Sequence, residues 1–412
     1  MKTTNTAAQM IAQPSRSLLT AAVLAVLLYL LVRHFFHAPD DARKPRQIKK
    51  GGQNVSDSSA DKLNHRKPYK GTAPQKIDVF TQQVCAAFPD VSAEAARRLF
   101  PRKFEVHGHV VVVRLNEGTT EAELQPLASY FAAAFFPVLV DVVLLDVEGI
   151  VGELRQPSLH ILYQSATALT DYAASLRRTL RRRWGDARKV ALPVRSVSAT
   201  ELETILTKWT TSPTYTTHVE NGVLFSLDVS RVMFSSGNTT ERMHFATVDA
   251  AGETVVDMFC GIGYFTLPLA MNGKVRAIYA LEKNPDSVDF IKVNAVLNRV
   301  DHVLYPICGD NRVVGDEAVG KCDRVLMGYI PTCKSFLPRA LSFLKRNEAG
   351  RSVGAIHYHF LADKPQAAQE AMRDVREELG AEVAAAVSLA DLRCVKSYAP
   401  KRFHYVADLV FS

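Results

Sequence analysis

The stretch TVVDMFCGIGYFTLPLAM, residues 254–271, decides the fold. TVVDMF (254–259) is an apolar run of the kind that forms a strand buried on both faces. Gly261 and Gly263 follow at once, and Tyr264 to Met271 begins a helix. A strand that turns through glycines into a helix brings bare backbone close to a ligand at the strand's carboxyl end. Outward from this unit the texture repeats. RAIYALE (276–282), HVLYPICGD (302–310), RVLMGYI (324–330) and VGAIHYHFL (353–361) read as strands, and 286–297, 335–345 and 366–379 as helices. Two last strands, near 394–400 and 403–411, have no helix between them. Alternating strands and helices predict a parallel, doubly wound sheet, here closed by an antiparallel hairpin.

The strand ends carry the chemistry. The GxGxxG dinucleotide fingerprint fails, because Thr266 stands where its third glycine belongs. Glu282 ends the second strand, where an acidic side chain accepts both ribose hydroxyls, and Asp310 with Asn311 ends the third, where an adenine amino group would lie. This set fits S-adenosylmethionine better than NAD. The fourth strand end, Gly328-Tyr329-Ile330-Pro331, offers no side-chain acceptor of the kind that holds an amine nitrogen. It allows a substrate ring that is already nucleophilic. RVMFSSGNTTERMHF (231–245) is too polar for core and suits a lid over the cofactor. His107/His109 and His357/His359 are spaced i, i+2, so on strands each pair would share a face. No third or fourth ligand follows from spacing, and no metal site is expected. Cys260 reads as a small packing residue.

Upstream, residues 77–245 read as a smaller α+β domain ahead of the catalytic domain 246–412. VHGHVVVVRL (106–115) reads as one strand, Glu121 to Phe136 as a helix, and HVENGVLFSLDVS (218–230) as a hairpin turning at Asn221-Gly222. Asp171 to Trp184 reads as a helix with Arg177, Arg178, Arg181, Arg182 and Arg183, either a solvated surface or an RNA-phosphate footprint. The chain has 412 residues and a formal charge of +8, but the charge is local. Residues 33–76 hold eleven Lys/Arg against four Asp, so the body from 77 onward is near neutral and the overall balance does not argue for nucleic acid. Leu18 to Val32 is apolar apart from Thr20 and at 1.5 Å per residue spans roughly 22 Å, so 1–36 is a candidate membrane anchor. A cleaved leader, a transit peptide and a cytosolic helix are the alternatives. The basic residues after it would hold the body on the cytoplasmic face. Residues 37–76 lack large apolar side chains and read as a disordered linker. Six cysteines without a CxxC pair indicate reduced thiols.

Taken together, MFSSGNTTER, DMFCGIGYFTLPLA, LEKNPDSVDFIKVNAVLN, GDNR, DRVLMGYIPT and IHYHF resemble the tRNA position-37 family. That family joins guanine-37 methyltransferases to the aminocarboxypropyl transferase of wybutosine synthesis. The resemblance runs from about Phe104 to the C-terminus, with 157–217 divergent. Where the methylating branch has Asn-Leu-Pro or Asn-Pro-Pro, this chain has Met-Gly-Tyr-Ile-Pro, which is similar to the aminocarboxypropyl branch. The resemblance implies a Rossmann-like class I methyltransferase fold with S-adenosylmethionine as substrate and tRNA-Phe as partner. It places Ser235 and Arg242 at the lid, Glu282 on the ribose, and Asp310 and Asn311 at the adenine, beside the Gly261 and Gly263 turn already read as approaching the cofactor. Expected chemistry is transfer of the 3-amino-3-carboxypropyl group to C7 of 4-demethylwyosine. A guanine-37 methyltransferase and a membrane-tethered, non-catalytic tRNA-binding protein are the alternatives. No acid or base, and no oligomeric state, follows from the sequence.

Overall fold

A computed structural model describes residues 73–166, 168–189, 196–234 and 236–412. The candidate anchor (18–36), most of the linker (37–72) and Ser235 lie outside the described residues. Among those described, no helix is long and apolar enough to cross a membrane.

The first part is a four-stranded sheet covered by short helices. Strands β1 (Lys103–His107), β2 (Val110–Arg114), β3 (Val142–Val151) and β4 (Gln156–Gln164) lie in that order, with β2 and β3 parallel. Phe80 and Phe131 from the covering helices, with Phe100 and Phe135 just beyond helix ends, form its core with Val111, Val143 and Leu145. The single strand expected over 106–115 is instead a hairpin, turned at Gly108 with φ +58°. A Cβ there would lie 2.2 Å from Thr216 Oγ1, so only glycine fits. His107 and His109 therefore flank a turn and do not form a same-face pair. The helix expected over 121–136 is broken into Glu121–Leu124, a 3₁₀ turn at Gln125–Leu127 and Ala128–Ala133, because Pro126 removes a helical donor.

The middle part joins this sheet to the catalytic one. Helix Ala168–Lys189 and helix Ala199–Trp209, the second not anticipated from sequence, precede β5 (Tyr215–Glu220) and β6 (Val223–Asp228). These two strands pair through Asn221 and Gly222, both at positive φ, as a tight hairpin turn requires. Leu176, Leu180, Ile205, Trp209 and Phe225 share one buried cluster with Phe290, Ile291 and Leu297. The packing is therefore continuous across residue 245. Arg177 and Arg181 pair with Glu203, and Arg183 donates to the Leu297 carbonyl, while Arg178 and Arg182 are exposed.

The catalytic sheet follows the expected pattern closely. Its strands are β7 (Thr254–Asp257), β8 (Ala277–Glu282), β9 (Leu304–Cys308), β10 (Arg324–Met327), β11 (Lys345–Arg346), β12 (Ser352–Ala362), β13 (Val387–Ala399) and β14 (Arg402–Phe411). Spatial order is β13-β14-β12-β10-β7-β8-β9, with the short β11 against β12. Strands β9, β8, β7, β10 and β12 are parallel, and β14 is inserted antiparallel to both neighbours. The chain winds one way from β7 to β9 and the other way from β10 onward. The crevice at the ends of β7 and β10 is where such sheets bind ligands. Helix Pro285–Leu297 starts on an Asn284 cap whose side chain accepts from Asp286 N at 3.0 Å, which pins the helix behind the β8 end.

Candidate active site

The glycine loop is held open by carboxylates of its own chain. Asp257, at the β7 end, accepts from Phe259 N at 3.1 Å and from Thr266 Oγ1 at 2.7 Å. Asp257 is fully buried, and burial pushes its carboxyl up to about 7 against those two hydrogen bonds. Gly261 takes φ +54° and Gly263 φ +99°. Cβ atoms would meet Tyr264 and Leu267 at 2.6 and 2.7 Å, so both glycines are required by turn and packing. Asn294 Nδ2 donates to the Ile262 carbonyl at 3.1 Å and to Ser226, tying the loop to β6.

Glu282 reaches back across the loop. Its Oε2 accepts Gly261 N and its Oε1 accepts Asn284 N, each at 2.8 Å. Burial raises its pKa, and the backbone donors oppose the rise. A carboxylate oxygen has two acceptor directions, so each retains capacity for a ribose hydroxyl. Asp310 is different. Arg312 binds it through Nε and Nη2 at 2.9 and 2.5 Å, and this pairing holds its carboxyl well below the usual range. Beside it, Asn311 Nδ2 donates to the Met258 carbonyl at 2.7 Å, which fixes the amide. Its Oδ1 is buried without a protein partner, an acceptor suited to an exocyclic amine. Phe259 stands edge-on to Phe336 and stacks on Tyr329, making an aromatic wall between the β9 and β10 ends.

The β10 end lacks a side chain for a steric reason. A Cβ on Gly328 would lie 2.7 Å from the Phe265 ring. Tyr329 stacks on Phe259 at 5.3 Å, with the Arg155 guanidinium 5.6 Å from the Tyr329 ring centre. Arg155, at the tip of the β3–β4 hairpin, also donates to the Ile330 carbonyl at 2.9 Å. From the same tip the Leu154 carbonyl accepts from Asn284 at 3.1 Å, and Glu153 pairs with Lys283 at 2.5 Å. The hairpin thus bridges the β8 and β10 ends. Sequence reading missed this strap, since no local pattern links 153–155 to 283–330.

Within the segment expected to be a lid, the structure has a helix over Thr239–Phe245. Arg242 lies on it but is only 2% exposed, its guanidinium bound by Glu220 and set over Phe234. Burial works against the Glu220 charge, yet Arg242 and Thr239 hold its pKa below the usual value. Arg242 therefore ties this helix to β5. On the other side, Glu241 pairs with Arg393 of β13 at 2.9 Å, and Arg393 also holds Asp408 of β14 at 2.6 Å. His244, His357 and Asp408 come within metal-ligand range of one another. His357 Nδ1 is bonded to Asp408 at 2.6 Å and its Nε2 faces Arg324 Nη1 at 2.7 Å, so a cation would replace hydrogen bonds and meet two guanidiniums. His357 and His359 share a face, as expected, but they pair with different partners. Cys260 is buried, and burial raises its thiol pKa, in keeping with a packing role.

A seven-stranded path with one inserted antiparallel strand, a glycine loop after β7 and an acidic residue ending β8 define the S-adenosylmethionine-dependent methyltransferase fold. Residues 216–384 match the TRM5/TYW2 methyltransferase domain. The chain is 40% identical over 203 residues to a Methanocaldococcus jannaschii protein named tRNA(Phe) (4-demethylwyosine(37)-C(7)) aminocarboxypropyltransferase, covering 48% of this chain and 76% of that one. A Pyrococcus horikoshii protein of the same name is 39% identical over 201 residues, 48% of this chain and 68% of its own. The crystal structure of Pyrococcus horikoshii TYW2 in complex with MeSAdo superposes with a TM-score of 0.56 at 27% identity, over 80% of this chain and 99% of that one. This chain belongs to the TRM5/TYW2 family.

Proposed function

We propose that this chain transfers the 3-amino-3-carboxypropyl group of S-adenosylmethionine to C7 of 4-demethylwyosine at position 37 of tRNA-Phe. The likeness to the two archaeal aminocarboxypropyltransferases over most of their length carries the reading. The site agrees with it. Glu282 would hold the ribose, and Asn311, with Asp310 beside it, the adenine edge. Gly261 and Gly263 would admit the cofactor close to backbone. Ser235 and Arg242 would belong to the lid, with Arg242 anchoring it to Glu220. The sulfonium has three electrophilic carbons, and the one aimed at the nucleophile reacts, so catalysis rests largely on placement. Gly328, Tyr329 and Phe259 leave the β10 end apolar and flat, which favours a wide tricyclic base over an amine. Arg178 and Arg182 are candidate phosphate contacts. An anchor at residues 18–36, holding the body on a cytoplasmic membrane face, rests on the hydropathy of Leu18–Val32; sedimentation of the full chain with vesicles tests it.

Incubation with tRNA-Phe bearing 4-demethylwyosine, then nucleoside mass analysis, tests the activity. Methylthioadenosine and the mass of one aminocarboxypropyl group are expected. S-adenosylhomocysteine as the by-product would transfer the assignment to guanine-37 methylation.

A further inference from the structure

S-adenosylmethionine carries one anion, the carboxylate of the group to be transferred. Arg242, the cation that the family resemblance places at the lid, is committed to Glu220 inside the protein and is buried. Another cation reaches the same stretch of chain. Lys396, half-buried on β13, runs across Gly237 of the MFSSGNTTER string. A Cβ on Gly237 would lie 2.9 Å from Lys396 Nζ and 3.0 Å from its Cδ, so a side chain there would push the ammonium aside.

The sheet places Lys396 on the side toward which the ligand must extend. Lys396 lies opposite His404 on β14, and His404 opposite Leu361 near the carboxyl end of β12. Because β12 is parallel to β10, with Tyr358 opposite Met327, Lys396 is level with the residues that follow β10. A ligand whose adenine sits at Asn311 and whose ribose sits at Glu282 runs from the β9 end to the β8 end. Its remaining chain continues past β7 toward β10, and β12, β14 and β13 come next in the sheet. Two guanidiniums act on Lys396 there. Burial first, then the Arg242 and Arg155 charges, depress its pKa, and Glu105 opposes them. Arg155 comes from the strap, where it donates to the Ile330 carbonyl, and among the described residues no carboxylate pairs with it. Three cations against Glu220 and Glu105 leave an excess of positive charge, which an entering anion relieves.

We propose that Lys396 Nζ binds the carboxylate of the aminocarboxypropyl group and so determines which carbon of S-adenosylmethionine faces the target base. The inference rests on the reaction proposed above. Of the three carbons on sulfur, the one in the aminocarboxypropyl chain is the only one tethered to an anion, so a cation on the β10 side selects it over the methyl. Lys396 takes up no proton and forms no covalent bond; it acts by charge and placement. A phosphate of tRNA offers the same charge. Phosphate contacts lie on open surface, however, whereas Lys396 is half-buried against Gly237 and within reach of the strap.

Calorimetry on the full chain tests this with two ligands that differ only in the carboxylate, S-adenosylmethionine and its decarboxylated form. Lys396→Met should weaken S-adenosylmethionine binding by about 10- to 100-fold, the worth of a charge-assisted hydrogen bond. The decarboxylated ligand should bind this variant no more weakly than it binds the unaltered chain, which also shows that the fold is intact. Lys396→Arg keeps the charge and should recover most of the loss. An equal loss for both ligands, or unchanged affinity for S-adenosylmethionine, overturns the assignment. A loss confined to tRNA binding overturns it too and moves Lys396 to a phosphate. An unaltered chain that binds neither ligand overturns the S-adenosylmethionine reading itself, so the two failures are distinct.

Discussion

The two halves of one sheet edge are prepared in different ways. At the β7–β9 ends, Asp257, Glu282 and Asp310 are already engaged by backbone donors or by Arg312. At the β10–β12 ends, Gly328 presents no side chain and the His359–His404 pair has unsatisfied nitrogens at both ends. The first half is a cradle whose shape persists without ligand. The second is bare at Gly328 and lined by the stacked rings of Phe259 and Tyr329. Groups held in place beforehand suit a polar ligand, whereas a bare strand end beside stacked aromatics suits a flat ring.

The firmest way to break this contrast is to loosen the framework behind the second half. Arg393→Met leaves Glu241, 2% exposed, without its cation on β13. Removing one partner of a buried pair costs about 3–5 kcal/mol. Urea titration should show that loss; a change under about 1 kcal/mol would mean that packing alone seats helix Thr239–Phe245.

The cradle makes a comparable prediction through pH. Asp257 has a folded pKa of about 7, above its unfolded value, so its contribution to stability is fully present below about pH 4 and is lost as pH rises through 7. The swing is about 4 kcal/mol at most. His218 and His404, held near 4 by burial first of all, act in the opposite direction over the same window, losing stability as pH falls from 6.5. The difference between the unaltered chain and Asp257→Asn removes their effect. That difference should move against the unaltered chain from pH 4 to 8, and a flat difference would place the Asp257 titration elsewhere.

A smaller effect is expected at the ribose position. Glu282→Gln replaces one acceptor oxygen by a donor facing a backbone N–H and removes the charge. Affinity for S-adenosylmethionine should fall by about 1–3 kcal/mol in calorimetry, with the fold retained. Unchanged affinity would remove Glu282 from the cradle. The least change concerns tRNA. Arg178→Ala with Arg182→Ala should reduce the salt slope of binding by about 0.7–0.9 per lost phosphate contact. An unaltered slope returns that helix to plain solvated surface, consistent with Arg177, Arg181 and Arg183 already being bound within the protein.

The sequence by itself determined the catalytic sheet, its winding and the ends where Glu282, Asp310 and Asn311 stand. Those features are local: apolar runs, glycines at a turn and a polar residue closing each strand act within a few neighbours. It also marked Gly328 as lacking a side chain. Tertiary structure alone decided why, since Phe265 fills the space from another element. The hairpin at Gly108 escaped notice because a β-branched run on one side hides a turn that Thr216, far along the chain, enforces. Arg242 was legible as a lid cation, but its capture by Glu220 depends on the β5–β6 hairpin folding beneath it. The strap at 153–155 and the pairing of His359 with His404 join residues more than 40 positions apart. Sequence periodicity specifies which face a side chain takes; which distant group meets it there is set by how the layers pack.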